Sequence, residues 1–173
     1  MASNFRSDLR VASITVSRST APVELREYLA SQEWANLLST NFESLREWAI
    51  VSTCHRFELF VVAEAERLDG LCDQINQFFI NLLSKALSSF NQLNTAGEPP
   101  WTVRFDDEAA AHLCRVAAGL DSLVLGEAQI QGQVIATYTT GLENGTVGPL
   151  LSALFRTAIR VGKRARTETQ IST

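Results

Sequence analysis

The sequence predicts an α+β domain, a small and mostly antiparallel sheet packed with helices and ending in a long C-terminal helix. Three observations predict it. Short runs rich in β-branched and aromatic residues recur around residues 9–16, 47–52, 57–63 and 101–104, bounded by turn residues. Longer stretches carry apolar residues at helical spacing. Strands and helices alternate, but without the sustained βαβ series that a parallel sheet requires.

Leu9 to Val16 reads as a first strand, with Val11, Ile14 and Val16 on it. Ser17 to Thr20 is a polar turn, and Pro22 suits the first turn of a helix running to about Ala30. A short helix over Glu33 to Leu38 follows. Two strands then flank Cys54. In Leu68 to Ser89, the spacing of Leu71, Ile75, Phe78, Phe79, Leu82 and Leu83 is that of one long amphipathic helix. Asn91 to Pro100, with Gly97 and two prolines, is a loop. Trp101 to Arg104 is a short strand, Asp106 an N-cap for a helix through Ala118, and Gly119 its stop. Helices near Glu127–Glu143 and Leu150–Thr167 complete the chain.

At 173 residues one domain is expected, read as a flexible arm over 1–8 and a folded unit over 9–173. With 46% hydrophobic and 20% charged residues, a sizeable core can be buried, which excludes a largely disordered chain. No stretch has the length of a membrane span, and Met1–Arg6 lacks the pattern of a secretory signal. Cys54, Cys72 and Cys114 are an odd, unpaired set, with Cys72 and Cys114 in helical sequence as structural thiols; a reducing, cytoplasmic compartment fits. Two histidines and no CxxC offer no metal site. A net charge of −4 argues against generic nucleic-acid affinity, though a local basic face is compatible with it. Arg156, Arg160, Lys163 and Arg164 form such a face at i, i+4, i+7 and i+8, read either as a phosphate-tracking surface or as a solvated helix face.

The densest chemistry lies in Ser52-Thr53-Cys54-His55-Arg56-Phe57-Glu58. A cysteine at a strand end beside a histidine and an arginine can be a nucleophile, since cationic neighbours favour thiolate. It reads equally as a small core residue in a buried hairpin. A second stretch, Gly119 to Val134, decides between them. Together the two resemble the N-terminal catalytic domain of the glutamyl-tRNA reductase family, in wording closest to its plant and cyanobacterial branch. Thr20–Glu27, Ala111-His112-Leu113 and Gly162–Thr169 agree in order and approximate spacing, from about Val11 to the C-terminus.

The resemblance implies a mechanism. Cys54 attacks the ester of glutamyl-tRNA, the tRNA leaves, and the glutamyl thioester is then reduced with NADPH, opening tetrapyrrole (5-aminolevulinate) synthesis. Arg56 matches the residue holding the substrate carboxylate, and His112 the activity-linked histidine, able to exchange a proton with Cys54 or the leaving oxygen. Thr53, His55, Ser122, Glu127, Ala128, Gln129 and Gln133 match substrate-contacting positions. Gln129 and Gln133, four apart, share a helix face, which Ile130 and Val134 can anchor. His55 stands where the family has asparagine, and Ala128 where proline is common.

No G-x-G-x-x-G follows a strand, so NADPH is expected only through a separate or missing domain, with no cofactor bound by this chain and a monomer as the default state. Three readings follow: the thioester-forming half of the reductase; a stand-alone glutamyl-tRNA-dependent acyltransferase or hydrolase passing the thioester to an amine, thiol or water; and a binding module for glutamyl-tRNA or a pathway partner. Expected partners are glutamyl-tRNA and a nucleotide-binding domain or acceptor protein.

Overall fold

Alternation along the two central strands organises the molecule. The computed structural model describes residues 8–93, 98–122 and 124–171. Its elements are β1 (Leu9–Ser17), α1 (Val23–Ala30), α2 (Trp34–Asn41), β2 (Glu47–Thr53), β3 (Arg56–Glu64), α3 (Ala65–Ala86), α4 (Ser88–Leu93), β4 (Thr102–Phe105), α5 (Asp106–Ala117), α6 (Ala128–Glu143) and α7 (Pro149–Glu168). The sheet order is β2-β3-β1-β4, and every pairing is antiparallel. The α+β expectation holds, including the long last helix.

Successive strand residues point to opposite faces, and both faces are covered. One face presents Ala12, Ile14, Val16, Phe57, Leu59 and Val61 to α1–α4. There Trp34, Phe57, Phe79 and Trp101 form a chain of ring contacts at 5.4–5.5 Å between centroids, a favoured aromatic spacing. The other face presents Val11, Ala49, Val51, Phe60 and Val62 to α5, α6 and α7. At one end of that second face the apolar run gives way to polar side chains. The register sets Thr15 opposite Glu58, and Arg56 between Ser17 and Thr53. A sheet otherwise sealed by apolar packing thus opens into a polar site at the β2–β3 turn.

Where observed and expected elements differ, long-range contacts account for much of it. The third helix starts at Ala65 and breaks at Leu87, whose extended backbone (φ −127°, ψ 111°) separates α3 from α4. Asp106 is not an N-cap; it has φ 45° and its carboxylate accepts from Arg10 (2.8 Å) and from the Val11 N–H (3.4 Å) across the sheet. Pro22 takes the N-cap position, one residue ahead of α1. Gly119 ends α5 as expected, with φ 76°. Its carbonyl accepts from Gly126 N–H at 3.1 Å, and a Cβ there would lie 3.0 Å from Gly126 Cα, so the loop between them closes only on glycine. The start of α7 is capped from another element: the buried Glu47 carboxylate accepts from the N–H groups of Gly148 (3.0 Å), Leu150 (3.1 Å) and Leu151 (2.8 Å). Among the described residues no helix is long and apolar enough to cross a membrane. The arm expected over 1–8 lies outside the described residues apart from Asp8, as does the middle of the loop over 91–100.

Candidate active site

Cys54 and His55 are the two central residues of the hairpin joining β2 to β3, closed by the Thr53–Arg56 pair. Neither has positive φ, so this is not the primed turn whose twist matches paired strands. It is held from outside instead. The Arg18 N–H donates to the His55 carbonyl at 3.0 Å, and Thr53 Oγ1 accepts from the His55 N–H at 3.1 Å. Arg26 reaches from α1 to donate through Nη1 to the Cys54 carbonyl. Arg26 is buried, and among the described residues it has no carboxylate partner. Phe57, on the opposite face, locks the base of the hairpin into the aromatic cluster. Cys54 itself is exposed.

The side chains around Cys54 enclose a cavity of about 170 Å³, lined by Thr53, Cys54, His55, Arg56, Ser122, Glu127, Gln129, Ile130 and Gln133. The expected contact residues therefore converge, except Ala128, which is exposed on α6 and does not line the cavity. Ile130 and Val134 are buried against the sheet and present Gln129 and Gln133 to it, as their spacing predicts. Arg166 of α7 donates to the carbonyls of Gly126 (2.9 Å) and Glu127 (2.7 Å), fixing the entry to α6.

Arg56 belongs to a buried network that sequence reasoning did not find. Its Nη1 donates to Glu58 Oε1 at 2.9 Å and its Nη2 to the Asp121 carbonyl at 2.6 Å. His112 Nε2 lies 2.9 Å from the same Glu58 oxygen, which places the Nε2 proton between ring and carboxylate. Glu58 is 0% exposed and its Oε2 has no hydrogen-bond partner. His112 Nδ1 faces the Asp121 carboxylate at 3.5 Å without hydrogen-bond alignment. Sequence did carry one signal. An acid within the apolar run 57–63 must find a partner when buried, and Glu58 is two residues from Arg56, hence on its face of the strand.

His112 does not line the Cys54 cavity. It lines a second one of about 300 Å³, with Thr15, Ser17, Ser19, Thr20, Arg56, Thr102, Arg104 and Asp121. Arg56 is the wall common to both. Of the other thiols, burial pushes Cys72 up to about 12, reinforced by Asp69 and Asp73, and burial also raises Cys114. Arg156, Arg160, Lys163 and Arg164 are exposed along α7, with Arg164 paired to Glu168 at 3.0 Å; none lines the Cys54 cavity. Among the described residues no group of three or more His, Cys, Asp or Glu is placed to hold a metal ion.

Comparison with known proteins shows the family. A family model for the glutamyl-tRNAGlu reductase N-terminal domain matches residues 14–169. The chain belongs to that family. The glutamyl-tRNA reductase of Acaryochloris marina is 39% identical over 170 residues, covering 95% of this chain and 37% of its own length. That of Prochlorococcus marinus strain MIT 9313 is 39% identical over 173 residues with the same coverages. Glutamyl-tRNA reductase 1 of a Nocardioides species is 36% identical over 167 residues, covering 94% of this chain and 37% of its own. The solved glutamyl-tRNA reductase of Methanopyrus kandleri superposes with a TM-score of 0.72 at 28% identity, over 96% of this chain and 36% of that one. This glutamyl-tRNA reductase N-terminal domain thus spans about 37% of the length of the curated relatives it matches.

Proposed function

We propose that this domain forms a glutamyl thioester from glutamyl-tRNA, the first step toward 5-aminolevulinate and the tetrapyrroles. The supporting observation is an exposed Cys54 on an externally braced turn, opening into a cavity walled by Arg56, Glu127, Gln129 and Gln133. The Cys54 thiolate attacks the ester carbonyl. A C–S bond forms, the C–O bond to the ribose breaks, and the ribose oxygen takes up from solvent the proton that the thiol had released, so the tRNA leaves as the free hydroxyl. Arg56, held by Glu58 and the Asp121 carbonyl, presents its remaining N–H groups to the substrate carboxylate. Glu127, Gln129 and Gln133 supply acceptors and donors for the ammonium and carbonyl. His112 acts from the far side of Arg56 through Glu58, and no hydrogen bond joins it to Cys54.

The chemistry proposed for this chain ends at the thioester, and NADPH reduction is assigned to a separate nucleotide-binding unit. The test is intact-protein mass spectrometry after incubation with glutamyl-tRNA, with Cys54→Ala as control. A glutamyl adduct absent from the mutant is expected; wild-type protein that neither gains mass nor releases glutamate would end this reading.

The position of His55 in the Cys54 cavity favours a second reading, hydrolysis or transfer of the thioester, with the imidazole activating water or an amine. His55→Asn should then lengthen the adduct's lifetime, and an unchanged lifetime removes it.

A further inference from the structure

The second cavity has chemistry that thioester formation at Cys54 does not use. Arg104 of β4 lines it, half-buried, and donates one long hydrogen bond, to Thr15 Oγ1 (3.3 Å). Among the described residues no carboxylate lies within ion-pair distance of Arg104. The other charges on the wall are matched. Arg56 is bound by Glu58, and Asp121, whose carboxylate also borders the cavity, faces His112 at 3.5 Å and Arg115 at 3.8 Å. In the same cavity the turn after β1 gathers three hydroxyls: Ser17 Oγ lies 2.7 Å from Ser19 Oγ and 3.3 Å from Thr20 Oγ1, and Thr20 Oγ1 donates to the Ser17 carbonyl at 3.1 Å. Buried in the same wall is His112, 3% exposed, with Nδ1 lacking a hydrogen bond.

An unmatched guanidinium sharing a cavity with a hydroxyl-rich turn is a donor set for an oxyanion. We infer that the cavity between β1, β4 and α5 is an oxyanion subsite, in which Arg104 and the hydroxyl pair of Ser17 and Ser19 hold one charged group of the substrate while Cys54 attacks its ester on the other side of Arg56. This rests on the Cys54 reading above. The shared chemistry is a phosphate or carboxylate oxygen. In an aminoacyl-nucleotide it comes from the phosphate of the terminal nucleotide, or from the side-chain carboxylate of the amino acid, held there between Arg56 and Arg104, which both line this cavity. The subsite would make Arg104 a specificity-determining residue, with Arg56 forming the boundary between ester and anion.

The test measures the rate of Cys54 adduct formation by mass spectrometry in wild type, Arg104→Met and Arg104→Lys. Three substrates are compared: the glutamyl ester of adenosine 5′-monophosphate, the glutamyl ester of adenosine, and the glutaminyl ester of adenosine 5′-monophosphate. Losing one charge-assisted contact should slow capture about tenfold or more. If the phosphate occupies the subsite, Arg104→Met slows both phosphate-bearing esters and leaves glutamyl-adenosine unchanged. If the carboxylate does, it slows both glutamyl esters and leaves the glutaminyl ester unchanged. Either pattern supports the subsite, because the unaffected substrate shows that the variant is folded, and Arg104→Lys should recover part of the loss. Equal rates for wild type and Arg104→Met with all three substrates, or equal slowing with all three, overturn it. No adduct on the wild-type protein with any ester overturns the Cys54 reading, and the subsite with it.

Discussion

Glu58→Ala is the most informative single perturbation of this domain. The Glu58 side chain is 0% exposed, and one of its oxygens takes both Arg56 Nη1 and His112 Nε2 at 2.9 Å. Removing it leaves a guanidinium that is itself about 6% exposed without its counter-charge. Breaking a buried pair by deleting one partner costs about 3–5 kcal/mol, since the remaining charge stays desolvated. Against a typical total of about 5–15 kcal/mol, this is a large fraction of stability. For a domain of this size each kcal/mol moves Tm by about 2–4 °C, so a fall of roughly 6–20 °C is expected. Thermal unfolding followed by circular dichroism measures this fall, and urea unfolding the free-energy loss. Glu58→Gln keeps the shape and one acceptor and should fall between mutant and wild type. The double variant Arg56→Ala/Glu58→Ala should lose less than the sum of the two singles, because the second deletion removes the orphaned charge. A loss below about 1 kcal/mol for Glu58→Ala, or strict additivity in the cycle, would refute the claim that Glu58 holds the site together.

Four further outcomes follow from other parts of the fold. Glu47→Ala removes the acceptor for three N–H groups at the start of α7 and should cost about 2 kcal/mol; a Tm equal to wild type would contradict that cap. Iodoacetamide at pH 8 should label Cys54 well before Cys72 or Cys114, since burial raises both of the latter; peptide mapping that finds all three labelled together would contradict it. Cys72, raised from 9.0 to about 12, favours the protonated thiol in the fold, so its contribution is complete below pH 9 and is lost as pH rises toward 12. Wild type should therefore lose more stability than Cys72→Ala between pH 9 and 11, and parallel curves would sink this. In Gly162→Ala the new methyl would meet the Ala117 carbonyl oxygen at 2.6 Å, forcing α5 and α7 apart at about 1–3 kcal/mol; an unchanged urea midpoint would show that the helices give way freely.

What sequence made legible here was local. β-Branched runs and helical spacing located every strand and most helix bounds, because alternation and amphipathicity are properties of consecutive residues. The same logic placed Gln129 and Gln133 on one face over Ile130 and Val134, which the structure buries. The parts that escaped depend on partners distant in sequence. Asp106 looked like a cap, but Arg10 and Val11, almost a hundred residues away, claim its carboxylate. Glu47, at the start of β2, caps a helix 101 positions on. Arg26 lies in a helix that carries no recognised chemistry, and only the fold brings it 28 residues along the chain to the Cys54 carbonyl. Glu58 falls between these cases. Its burial could be inferred from the apolar residues on either side of it, and its need for a cation from the cost of burying a carboxylate; Arg56 was within reach on the same strand face. That His112 is the second partner of Glu58 required knowing that α5 packs against β1, the strand paired with β3. The proposed nucleophile sits on a motif that can be read in a line of seven residues, whereas the groups that brace its surroundings are recruited from α1, α5 and the loop before α6. Substitutions at Arg26, Glu58 or Asp121 should therefore disturb capture at Cys54 while leaving that seven-residue motif, except for Glu58 itself, intact.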